Sequence, residues 1–156
     1  MLPSAASDDG AFEESLDSEW SQVRRALLAR YGAEIGSDAW SDVVVWAWEH
    51  RERLADMANP AGYLYRVGQS AAKRQLRWYR SPPLLAEPSP VDGYDGDVFA
   101  ALERLKPRQR VAVLLVHGHG ASYAEAADVL GVSVAAVTNY VHRGMRQLRR
   151  ALGDSE

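Results

Sequence analysis

Near the end of this chain, Arg143, Arg146, Arg149 and Arg150 recur at helical spacing. Ala135, Thr138, Asn139 and His142 precede them on the same period. Guanidinium groups hold phosphate oxygens, and short polar side chains ahead of them suit hydrogen bonding to base edges. The chemistry on offer is noncovalent recognition of a polyanion. Reactive patterns elsewhere are incomplete. His117 and His119 have one glycine between them and no cysteine or carboxylate nearby, which does not close a tetrahedral metal site. "GHGAS" lacks the adjacent base that a nucleophile needs. The 156 residues include no cysteine, so disulfides and thiolate catalysis are excluded. No catalytic residue, metal or cofactor is expected.

The elements around the arginines read as a helix-turn-helix. In "YAEAADVLGVSVAAVTNYVHRGMRQLRR" (123–150), Ala126 and Ala127 permit a close helix crossing. Gly131 can take the left-handed conformation of a tight turn. Val132 fills the turn, and Ser133 can cap the second helix. Val137, Val141, Met145 and Leu148 then form a buried stripe. That leaves Val134, Ala135, Thr138, Asn139 and His142 facing outward, with the arginines beyond. The first turns of a recognition helix meet base edges, and flanking arginines take phosphates.

The rest of the chain reads as helix too. "EWSQVRRALLARYG" has Trp20, Val23, Leu27 and Tyr31 on one face. "SDAWSDVVVWAWEHRERLADM" predicts a long helix capped by Ser37 or Asp38, with Trp40, Val44, Ala47 and Trp48 inward. Asn59 and Pro60 open a third, with Leu64, Val67, Ala71 and Leu76 inward; Tyr65 is expected in the core. Asp97 caps a short helix and Pro107 opens the next, burying Val111, Leu114 and Leu115. Expected boundaries are an acidic tail at 1–18, a first domain at 19–80, a polar linker at 81–96 and a second domain at 97–153. The fold class is all-α, two small helical domains joined by a flexible linker. Formal charge is −3, but every Lys and Arg falls within 24–80 and 104–150. Phosphates respond to local charge, so the negative total does not exclude nucleic acid.

Over about 23–152 the chain resembles the bacterial sigma factors of the extracytoplasmic-function (ECF) group, in the sigma-70 superfamily. "LKPRQRVAVLL", "YAEAADVLGVSVAAV" and "VHRGMRQLR" are similar to the family's region 4. "DAWSDVVVWAWEHRERL" and "NPAGYLYRVGQSAAKRQLR" are similar to its region 2. The resemblance implies a factor that brings RNA polymerase to specific promoters, melts the minus-ten element and reads the minus-thirty-five element. It implies core-polymerase contact through Asp38, Ser41, Asp42 and Trp46, on the clamp helices of the largest subunit, and a flap contact from the second domain. It implies minus-ten binding by Asn59, Tyr63, Arg66, Gln69, Ser70, Lys73, Arg74 and Arg77, with the loop Asp56–Asn59 holding a flipped base. It implies minus-thirty-five binding by Arg110, Ser133, Ala135, Thr138, Asn139, His142, Arg143 and Arg146. Thr138 and Tyr140 stand where the family commonly has basic residues, so an unusual minus-thirty-five sequence is expected. An anti-sigma factor is a further class of partner.

Two other readings fit the same residues: a helix-turn-helix regulator that binds duplex DNA without docking on polymerase, and a sigma-like adaptor that binds proteins. No apolar run nears the ~20 residues of a membrane span, and the N-terminus lacks a signal-peptide pattern, so a cytoplasmic location is expected.

Overall fold

The computed structural model describes residues 20–78 and 96–153, together with Gly10, Phe12 and Glu14. Every regular element among them is helical. The first group is α1 (Ser21–Tyr31), α2 (Ala33–Glu49), α3 (Arg51–Ala55) and α4 (Pro60–Trp78). The second is α5 (Gly96–Glu103), α6 (Pro107–Val113), α7 (Tyr123–Leu130) and α8 (Val134–Ala151). A π-helical turn at Leu114–Gly118 continues α6. The proposed linker lies outside the described residues apart from Gly96.

Local signals set most helix ends. Asn59 accepts a hydrogen bond from the Gly62 N–H (3.1 Å) and so caps α4, with Pro60 as its first residue. Pro107 opens α6. Gly131 adopts φ 68°, ψ 34°, the left-handed turn between α7 and α8. The Ser133 hydroxyl accepts from the Ala136 N–H at 3.1 Å, and Ser122 does the same for α7. Val137, Val141 and Leu148 are buried as the period predicts.

α2 departs from expectation. It starts at Ala33, directly after a sharp break at Gly32, so Ser37 and Asp38 are inside it and cap nothing. Its buried stripe is Gly36, Ala39, Val43 and Ala47 rather than the tryptophans. Small residues win because α1 is very near: a Cβ on Gly36 would lie 2.8 Å from the Leu28 Cα. Trp48 is left 37% exposed. Leu76 is also exposed, while Leu64, Tyr65 and Ala71 are buried. Burial pushes the Tyr65 phenol up to about 12, partly opposed by the Arg30 guanidinium.

The two groups share a core. Val23, Ala26, Leu27 and Ala72 of the first belong to one buried cluster with Val111, Leu115, Ala121, Ala126 and Val137 of the second. α1 packs against α6, its π turn and α7, and α4 packs against α7. A separate small cluster, Ala101, Leu102, Leu105, Val113, Leu114 and Leu148, fastens α5 to α6 and α8. The tail expected at 1–18 is described at three residues only, with helical backbone; the Phe12 ring meets Trp20 and Trp48 edge-on at 5.9 and 5.3 Å.

The cap at Ser133 carries a measurable share of the helix-turn-helix. Ser133→Ala is expected to cost about 1 kcal/mol in denaturant unfolding, and Ser133→Asp to recover most of it. Equal stability of all three proteins would contradict the capping role.

Candidate nucleic-acid interface

α8 has no aspartate or glutamate anywhere along its length. Its inner stripe is fixed against α6, where a Cβ on Gly144 would come within 2.7 Å of Val113. That contact fixes what faces out. At 100° per residue, Ala135, Asn139, His142, Arg143 and Arg146 share one side, and all five are exposed. Two expected contacts are committed internally. The Ser133 hydroxyl serves the cap, and the half-buried Thr138 donates its hydroxyl to the Val134 carbonyl at 2.9 Å. Tyr140 is turned toward α6, its hydroxyl accepting from Arg108 at 3.4 Å. The side chains left uncommitted on this face are Asn139 and His142 with the Ala135 methyl, flanked by arginines.

α4 is likewise free of carboxylates. Tyr63, Arg66, Ser70, Lys73, Arg74 and Arg77 fall within about a third of its circumference, with half-buried Gln69 at the edge. Between α4 and α2 an open cavity of about 440 Å³ is lined by Trp46, Val67, Ser70, Lys73, Arg74 and Arg77. Its chemistry is an apolar wall beside three cations. Trp46 stacks on His50 at 4.2 Å and meets Tyr63 at 5.1 Å, with Arg53 lying over Tyr63. Those contacts hold Tyr63 half-buried at the head of the cationic face.

The outer crest of α2 carries Asp38, Ser41, Asp42 and Val45, all exposed. Trp46 sits on the shoulder toward α4, in the wall of the cavity, rather than on the crest. Val45, 57% exposed, and Trp48 on the opposite shoulder are the apolar groups beside the crest. Arg51 braces Trp48 from 4.3 Å and donates to its carbonyl at 2.9 Å. Hydrophobic period predicts Trp48 inward and gives Val45 no role; both are exposed. The alternation of Ser41, Val45 and Trp48 at helical spacing was the available signal.

Two expected DNA contacts are engaged elsewhere. Arg110 donates through Nε to the Ala29 carbonyl (2.8 Å) and through Nη2 to the Arg30 carbonyl (3.0 Å), both on α1. Burial pulls its guanidinium below the ordinary value, with Glu103 opposing. Asn59 donates through Nδ2 to the Asp128 carbonyl at 2.8 Å, at the end of α7. In this arrangement neither side chain is presented to DNA together with its expected partners.

Residues 96–148 match the sequence profile of sigma-70, region 4. That segment is similar to region 4 and makes up about a third of the chain. Over 53 residues the chain is 45% identical to the ECF RNA polymerase sigma factor SigE of Mycolicibacterium smegmatis, a match covering 34% of this chain and 21% of that protein. The fold is similar to that of the sigma factor RpoE of Bartonella quintana, solved in complex with the anti-sigma factor NepR. The TM-score is 0.67 at 20% identity, over 94% of this chain and 99% of that one. CnrH, solved with the cytosolic domain of CnrY, gives 0.60 at 22% identity over 95% and 91%. The similarity to region 4 spans α5, α6, α7 and most of α8, and the likeness of fold takes in the first group as well.

Region 4 readout by α8 predicts two kinds of mutant. Arg143→Ala and Arg146→Ala are each expected to weaken duplex binding evenly across sequences and to reduce the salt slope by about 0.9. Asn139→Ala should instead relax preference at one base, by about 1–3 kcal/mol if Asn139 pairs with adenine. Binding-site selection at two salt concentrations checks both, and an unchanged preference for Asn139→Ala would remove it from direct readout.

Proposed function

We propose that this chain is a sigma factor that directs core RNA polymerase to specific promoters. The observation that carries the reading is the pairing of a region 4 helix-turn-helix with a second carboxylate-free cationic helix on a separate helical group. One such helix suits duplex phosphates and base edges. Two suit two promoter elements.

In this reading α8 lies in the major groove at the minus-thirty-five element. Asn139 and His142 read bases there, and Arg143 and Arg146 hold phosphates. α4 binds the minus-ten element. Lys73, Arg74 and Arg77 follow the backbone, and Arg66, Gln69 and Ser70 offer further polar contacts. Tyr63 and the loop Asp56–Asn59 receive an unstacked base, whose extrusion costs a few kcal/mol, offset by stacking and edge hydrogen bonds. The crest of α2, with Asp38, Ser41 and Asp42, docks on the polymerase clamp helices; Trp46 supports it from the cavity side, Val45 adds apolar surface, and Trp48 adds an anchor of a type frequent at interface hot spots. The second group touches the flap. An anti-sigma factor is a fitting partner, since the similar fold of RpoE was solved with one. Such a factor has no catalytic centre of its own and works where the polymerase is, in the cytoplasm. Among the described residues no helix is long and apolar enough to cross a membrane.

Transcription reconstituted with purified core polymerase and this chain alone, on a genomic promoter library, tests the proposal. Initiation at a defined set of start sites is expected. Duplex binding without initiation would make the chain a helix-turn-helix regulator; binding neither DNA nor polymerase would make it an adaptor.

A further inference from the structure

We propose that Trp78, the last residue of α4, is a base-stacking side chain that ends the single-strand track of that helix. The proposal deepens the minus-ten reading of α4 and rests on it.

Tryptophan is large and on average well buried in folded proteins. Trp78 is instead 88% exposed, the most exposed large apolar side chain among the described residues. Trp46 and Trp48 each have a partner on one ring face, His50 and Arg51 respectively. The Trp78 indole stands clear of the body, with ring surface open to a ligand. Leu76 is exposed too, but at 100° per residue it lies about 160° around the helix from Trp78. The two therefore do not form one apolar patch of the kind that marks a protein contact.

What surrounds Trp78 selects the ligand. Around α4 it lies about 20° from Val67, about 40° from Arg74 and about 60° from Tyr63. Val67 and Arg74 line the open cavity beside α2, together with Lys73 and Arg77. Trp78 is thus the next side chain along that wall, just past three cations on a helix without a carboxylate. A flat apolar ring at the end of a cationic row matches single-stranded nucleic acid, with phosphates on the cations and a base on the ring. Duplex is a poorer match, because its bases are already stacked on each other. An acidic peptide would satisfy the cations but supplies no flat ring at each step. Tyr63 and Trp78 are separated by 15 positions, about 22 Å along the helix axis. A strand stacked at about 3.4 Å per step covers that distance in about seven nucleotides. Tyr63 is held half-buried against Trp46, so it is a fixed seat at the head of the track. Trp78 is an open clamp at its other end.

Two single-stranded probes, each of roughly a dozen nucleotides and so longer than the track, are titrated onto the full chain at two salt concentrations. One is oligothymidine; the other has the same backbone with every base missing. Trp78→Ala is expected to weaken oligothymidine binding about tenfold, the weight of one stacked base, with an unchanged salt slope. It is expected to leave binding of the abasic strand within about twofold of wild type. Trp78→Phe should recover most of the loss, since a phenyl ring also stacks. Arg77→Ala is the contrast: both strands weaken and the salt slope falls by about 0.7. Equal loss of both strands in Trp78→Ala would overturn the stacking role and leave Trp78 a structural residue. Unchanged oligothymidine binding in Trp78→Ala would overturn it too, as would a wild-type chain that binds the two strands equally or binds neither. A loss of core-polymerase affinity in Trp78→Ala, with both strands bound as by wild type, would overturn it in favour of a protein contact. Failure of the wild-type chain to initiate in the reconstituted reaction would sink the sigma reading alone, because the two probes report on Trp78 without polymerase.

Discussion

The burial of one face of α1 is the constraint on which the rest of the structure depends. Val23, Ala26 and Leu27 are buried in a cluster built from both helical groups. Each described group is close to 60 residues, a size at which a chain buries only about 60% of its unfolded surface and is marginal alone. A shared core makes up part of the shortfall. It also means that separating the groups exposes apolar surface on each, so closure and stability are linked. The cluster of Leu102, Leu105, Val113 and Leu148 keeps α5, α6 and α8 together, and Ala29 of α1 packs against it. α8 thus draws on both clusters, with Val137 and Val141 in the shared core and Leu148 in the smaller one.

The charge pattern explains how an acidic chain can present itself to nucleic acid. α4 and α8 have no carboxylate, whereas the crest of α2 carries Asp38 and Asp42 with Glu49 nearby. Acid is thus kept off the two faces suited to phosphate, and three carboxylates lie along α2 instead. Coulomb interactions among exposed groups fade beyond about 8–10 Å at ordinary ionic strength, so each face acts by its own charge. The net value of −3 averages over surfaces that a bound strand never senses together.

Much of this was legible in the sequence. Period, capping residues and turn glycine fixed α4, α7 and α8 nearly to the residue, because Asn59, Pro60, Gly131 and Ser133 act through local chemistry. The faces of α2 were harder. Hydrophobic period points to the large side chains, but the near approach of α1 selects Gly36, Ala39 and Ala47, which rotates the buried stripe and turns Trp48 outward. The association of the two groups left no trace. Arg110 and Asn59 bind main-chain carbonyls, which every residue has, so nothing in the identities of Ala29, Arg30 or Asp128 marks them as acceptors. Side chains that looked like DNA contacts by type are, in this arrangement, contacts between the groups.

The choice of acceptor bears on how such an arrangement can be reversed. Carbonyls in the last turn of a helix have no partner within it, and water satisfies them when protein does not. Releasing Arg110 from α1 and Asn59 from α7 therefore strands no buried polar group, provided water follows. An ion pair buried between the groups would behave differently, because separating it requires each charge to find a new counterpart or be solvated afresh. Guanidinium and carboxamide are also the two groups best matched to phosphate and to base edges. In this chain both take main-chain carbonyls of the other helical group as acceptors instead.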